Sequence, residues 1–192
     1  MTPDRFVLLM TWIVAFFATP GPATISIVAN GATYGMRRTV PYIAGLLVGF
    51  VFVFLAADLG LAFLLTRYPA AEAVLRGIAI VYMLYLAWRI WRTDGIALDG
   101  ARPLSLLNGV MLNVVNPKAY VAALAILAQF GGPGQDWLVG AIILVSAAVI
   151  DVGLAFLADR MAGTLTRRTT IVRLNRVLAV LLVVSIVWVL IA

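Results

Sequence analysis

Apolar residues recur in six long runs separated by short polar or basic connections. A helical span of the hydrocarbon core needs about 20 mostly apolar residues. The pattern predicts spans over residues 6–29, 40–66, 73–91, 104–130, 137–158 and 174–192. Arg76 and Arg176 fall just inside the third and sixth runs, within a turn or so of an end, where an arginine can snorkel to the headgroups.

Two of these runs contain helix breakers. Pro20, Gly21 and Pro22 lie a few residues past the centre of the first, and Pro117 lies close to the centre of the fourth. Proline removes a backbone donor and clashes with the preceding turn, so each run is expected to stop and restart at membrane depth. A restarting helix presents unpaired N–H groups and the positive end of its dipole. In hydrocarbon such donors must face protein, water or a ligand. Pro22 suits the first position of one restart, with donors from Ala23, Thr24 and Ile25 behind it. Asn116 can cap the other, with Pro117 next and donors from Lys118, Ala119 and Tyr120. Together with Asn113, these residues predict a receptor for an anionic group, most naturally a carboxylate. The bland alternative is a pair of proline kinks that shape the bundle and bind nothing.

The two halves of the chain are related. Residues 58–67, DLGLAFLLTR, and residues 151–160, DVGLAFLADR, agree at seven of ten positions. Arg76, Ala79 and Trp88 likewise match Arg176, Ala179 and Trp188. Each half holds three spans, an odd number, so the second copy crosses the membrane inverted. The predicted fold is therefore all-α: one polytopic transmembrane transporter domain over 1–192. Its six helices form two inverted three-helix repeats, about 6–91 and 104–192, with helices 1 and 4 broken near the midplane. Inverted repeats with matching broken helices are the pattern of secondary transporters.

Composition agrees with a bilayer as solvent. Hydrophobic residues make up 64% and charged residues 11% of the 192, against about 25% charged in soluble domains, and the mean hydropathy is +1.09. The net charge of +6 does not point to nucleic acid, because the arginines sit in connections between apolar runs. Arg37, Arg38, Arg89, Arg92, Arg102, Arg160, Arg167, Arg168, Arg173 and Arg176 fall on one side, and Arg5, Arg67 and Arg76 on the other. That asymmetry predicts cytoplasmic basic loops and both termini outside. The first run has no positively charged n-region and is expected to remain as a span rather than be cleaved. With no Cys and no His, thiolate and imidazole metal ligands and disulfides are excluded, and no cofactor is expected.

Lys118 is the one basic residue at the middle of a run. A central cation costs about 2.5–3.5 kcal/mol to insert, so it should face the bundle interior with a partner. Asp58, Asp151 and a substrate carboxylate are the candidates. The two aspartates occupy matching places in the repeats and could bind a substrate ammonium, carry a proton or act as gates; the alternative is a structural ion pair. The pair Gly45 and Gly49 has the small-xxx-small spacing that lets helices approach.

The motifs TPGP at 19–22, NG and YGMRR within 30–38, GLAFLL at 60–65, YMLYLAW at 82–88, NVVNPK at 113–118 and QF at 129–130 together resemble the LysE/RhtB family of amino-acid exporters over nearly the whole chain. The resemblance implies a bacterial inner-membrane exporter of amino acids or close derivatives, driven by the proton motive force, with an amino-acid substrate, protons and the lipid bilayer as its partners. Two departures stand out: Ala23 replaces an asparagine usual after the PGP motif, and Phe50 replaces an acidic residue common in the family, a role Asp58 could take over. Two other functions compete with amino-acid efflux. One is export of a divalent metal cation; the other is an intramembrane hydrolase with a Ser26–Lys118 dyad. The sequence leaves open the specific substrate and the choice between monomer and homo-oligomer.

Overall fold

The computed structural model describes residues 1–18, 21–60, 67–92, 102–131, 135–164, 172–173, 176–181 and 183–184. Every regular element among them is helical: α1 (Pro3–Ala18), α2 (Pro22–Tyr34), α3 (Met36–Asp58), α4 (Pro69–Trp91), α5 (Leu106–Val115), α6 (Pro117–Phe130) and α7 (Asp136–Thr164). Residues 176–181 are also helical. The α3 helix and the Asp136–Ala162 stretch of α7 are each long and apolar enough to cross a membrane, and α5 with α6 makes a third such path, bent by 64° at its break.

The predicted runs map onto these elements with shifted edges. The first, 6–29, is two helices, α1 and α2, and the fourth, 104–130, is α5 and α6. The second starts four residues earlier than residue 40 and its helix stops at Asp58; residues 61–66 lie outside the described residues, as does most of the sixth run. The early stop has a local cause. Gly60 adopts φ +85, and the Leu59 and Gly60 amides close back on Leu55 and Ala57, a left-handed termination that glycine adopts without steric penalty.

Glycines set the closest helix contacts. A Cβ on Gly45 of α3 would strike the Leu106 carbonyl oxygen, and one on Gly109 of α5 would strike the Tyr42 carbonyl oxygen. The Gly45/Gly49 spacing is thus the seam on which α5 lies against α3. In the same way Gly31 lets α2 lie on α7, where an added Cβ would sit 3.0 Å from the Ala155 carbonyl oxygen.

Two apolar clusters flank the breaks. One gathers Ile27, Tyr42, Leu86, Leu112 and Ala155 from α2, α3, α4, α5 and α7. The other gathers Leu9, Ile13, Val53, Phe130 and Val139 from α1, α3, α6 and α7. Outside them Val48, Phe52 and Leu55 of α3 and Val145, Val149 and Phe156 of α7 are exposed, an apolar exterior suited to lipid tails.

The α3–α5 seam makes a first prediction. Gly109→Ala should lower unfolding free energy by about 1–3 kcal/mol, because backbone atoms cannot yield to the new methyl. Gly153→Ala, where an added Cβ meets nothing within 4 Å among the described residues, should not destabilise and should gain up to about 1 kcal/mol of helix propensity. Thermal unfolding of the detergent-solubilised variants checks both signs.

Candidate functional site

The two breaks lie side by side but are chemically different. At the first, Gly21 is extended (φ −150, ψ 175), Pro22 opens α2, and no side chain caps the helix. The first helical bond runs from the Ile25 amide to the Gly21 carbonyl at 2.9 Å. The Ala23 and Thr24 N–H groups therefore remain without acceptors among the described residues, at the positive end of α2. Pro20 lies outside the described residues.

The second break closes on itself. The Asn116 side chain accepts from the Lys118 amide at 3.1 Å, and its carbonyl accepts from the Ala119 amide at 3.0 Å. Pro117 cannot donate to Asn113, and the Asn116 amide takes that place at 3.1 Å. The Tyr120 hydroxyl donates to the Val114 carbonyl at 2.9 Å. The Asn116 cap follows from its residue type ahead of Pro117, as the sequence suggested. The expected pair of equivalent open N-termini is not found: the Lys118 and Ala119 amides are already engaged, and only the α2 end is uncapped.

Lys118 joins the breaks. Its Nζ donates to the Phe16 carbonyl at 3.1 Å and lies 4.5 Å from the centre of the Phe16 ring. Residue 20 is proline, so the Phe16 carbonyl has no helical N–H four residues on; a lysine at that helix end also suits the dipole. The stem of Lys118 passes over Gly21, where a Cβ would stand 2.9 Å from its Cδ and 3.2 Å from Nζ. A side chain at position 21 would displace the end of Lys118 from this place.

These groups line one cavity of about 60 Å3. Gly21, Pro22, Ala23, Thr24, Asn113, Asn116, Lys118 and Asp151 contribute to it, and its walls are Ile13, Phe16, Phe17, Leu46, Leu47, Phe50, Ala119, Ala122, Ile126, Ile143 and Ala147. Asn113 is held in place by a 2.6 Å bond from its Nδ2 to the Leu46 carbonyl. Asp151 is only 5% exposed, and no hydrogen bond or ion pair reaches its carboxylate among the described residues. A buried acid without a partner is costly in an apolar setting, which makes Asp151 a candidate for binding or proton handling.

The structure separates the two matched aspartates. Asp58 ends α3 and is exposed, away from the cavity that Asp151 lines. Tyr120 supports the break rather than the cavity wall. Ser26 donates to the Pro22 carbonyl at 2.7 Å and lies 2.6 Å from the Tyr42 hydroxyl, so the Ser26–Lys118 dyad is not formed. The apolar walls carry no motif and went unnoticed in the sequence. Their signal was periodicity: Ile143 and Ala147 precede Asp151 at intervals of four, and Ala119, Ala122 and Ile126 follow Lys118 on one helical face.

Residues 14–191 match the family profile described as LysE type translocator. An uncharacterized membrane protein of Vibrio cholerae serotype O1 is 27% identical over 161 residues, covering 80% of this chain and 78% of the relative. The cysteine/O-acetylserine efflux protein of Escherichia coli strain K12 is 32% identical over 152 residues, covering 76% and 77%; the protein of the same name from Shigella sonnei matches equally. No solved structure matches the chain. The chain belongs to the LysE family of translocators; it is a membrane transporter and not an enzyme.

Proposed function

We propose that this chain exports an amino acid or a related small zwitterion across the bacterial inner membrane, by alternating access and driven by the proton motive force. The observation that carries this reading is the pairing, in one cavity, of a carboxylate at Asp151 that has no partner among the described residues with an uncapped helix N-terminus beside Lys118. A zwitterion complements both. Its carboxylate would accept from the Ala23 and Thr24 amides, with Lys118 Nζ and Asn116 close by, and its ammonium would meet Asp151. When the substrate leaves, Asp151 would take a proton in its place, which couples export to proton entry. Each charge moved is worth about 2.3 kcal/mol per 100 mV.

The arrangement in the membrane is part of the same proposal. The single domain holds two inverted repeats, about 6–91 and 104–192, meeting near the midplane, with basic loops in the cytoplasm and both termini outside. The pairing of broken helices, the matched segments at 58–67 and 151–160 and the arginine distribution support it. The efflux function named for the Escherichia coli relative supports an amino-acid cargo. Metal export has no such support: Asp151 is the one acidic residue among the described lining residues, and Lys118 shares the space.

Overproduction should lower intracellular and raise external amino acid, and should increase tolerance to toxic analogues. Cysteine and O-acetylserine are the first compounds to measure. An unchanged extracellular metabolite profile, with the protein present in the membrane, would overturn the reading.

A further inference from the structure

We propose that a groove on the outside of the bundle binds one anionic phospholipid, with Arg92 and Arg176 holding its phosphate. The groove runs between the second half of α4 and the last described residues, 176–181 and 183–184. It shares no lining residue with the cavity at the helix breaks. Leu84 and Ala87 form one wall, and Ala179, Val180, Val183 and Val184 form the other. Every described residue along it is apolar or tryptophan, and Leu84, Val180 and Val184 are about half exposed. Such a surface suits a lipid tail.

Charge at one end of the groove selects the lipid. Trp88 and Trp91, in the last turn of α4, line that end. The Arg92 guanidinium carbon lies 5.1 Å from the centre of the Trp88 ring, and that of Arg176 lies 5.5 Å from the centre of the Trp91 ring. The two tryptophans are one helical turn apart, so both cations stand at the same end. No carboxylate pairs with either guanidinium among the described residues. A guanidinium over an aromatic face is held in place, yet its N–H donors lie in its own plane and stay available to a phosphate. Tryptophan prefers the headgroup level of a bilayer. That level puts the arginines beside lipid phosphates and the apolar walls at the depth of the tails. A phosphodiester without a cation of its own, as in phosphatidylglycerol, complements this pair, whereas a choline headgroup brings a like charge to it.

The test is native mass spectrometry of the full chain in detergent, titrated with phosphatidylglycerol and with phosphatidylcholine of identical acyl chains. One phosphatidylglycerol per chain should bind about tenfold or more tighter than phosphatidylcholine. Arg92→Gln combined with Arg176→Gln should erase the preference. Arg37→Gln combined with Arg38→Gln, which removes two exposed arginines elsewhere, should keep it. Val180→Trp fills the groove and leaves both cations, so it should weaken phosphatidylglycerol binding about tenfold; it serves if the double glutamine variant does not fold. Equal affinity for the two lipids would overturn the inference. So would a preference that survives in the folded Arg92/Arg176 variant or in Val180→Trp, or full displacement of the lipid by inorganic phosphate at equal concentration. A wild-type dimer that Val180→Trp takes apart, with no lipid preference, would also overturn it and give the groove to a second copy of the chain.

Discussion

Asp151→Asn should cut amino-acid export by about 30-fold or more, and should leave the protein at least as stable as the wild type. The functional loss follows from removing the one carboxylate among the described residues that line the cavity. Deleting one member of a buried charge pair costs about 2–5 kcal/mol of interaction, and the proton exchange proposed for Asp151 is lost with it. The gain in stability follows from what Asp151 lacks. No hydrogen bond or ion pair holds its carboxylate among the described residues, and it is 5% exposed. A neutral amide of the same shape gives up no contact and avoids the cost of a buried acid. Transport by reconstituted protein and thermal unfolding in detergent measure the two effects. Export near the wild-type rate, or a clear loss of stability, would contradict the assignment.

Lys118→Met should also abolish export, but with the opposite effect on the fold. Here a contact is lost: Nζ donates to the Phe16 carbonyl at 3.1 Å, at a helix end whose next donor is missing because residue 20 is proline. A hydrogen bond from a charged group contributes about 1.5–3 kcal/mol, so the variant should unfold correspondingly more readily. The contrast is diagnostic. If Lys118 were only a strut, Lys118→Met protein that remained folded would still export; if it only bound substrate, its removal would leave stability unchanged.

The breaks themselves were legible in the sequence, because proline at 22 and 117 acts through its own missing N–H and the Asn116 cap acts within two residues. Local chemistry is visible locally. The partner of Lys118 was not legible, since a main-chain carbonyl 102 residues away has no side-chain signature. The difference between Asp58 and Asp151 was hidden for another reason. Both begin the pattern Asp-x-Gly-Leu-Ala-Phe-Leu, yet Gly60 takes a positive φ and ends its helix, while Gly153 stays inside α7. The same residues therefore place one carboxylate on an exposed helix end and the other in the cavity. Likewise, the two restarts looked equivalent until the engaged Lys118 and Ala119 amides distinguished them. Gly45 and Gly49, a common spacing in membrane helices, turned out to form the α3–α5 contact because backbone oxygen occupies the space where side chains would stand.

An experimental structure of the protein loaded with a transported amino acid tests the central claim most directly. The account predicts the substrate carboxylate within hydrogen-bond distance of the Ala23 and Thr24 amides and its ammonium on Asp151. Substrate bound elsewhere, with Asp151 still unpartnered and the α2 terminus empty, would contradict it.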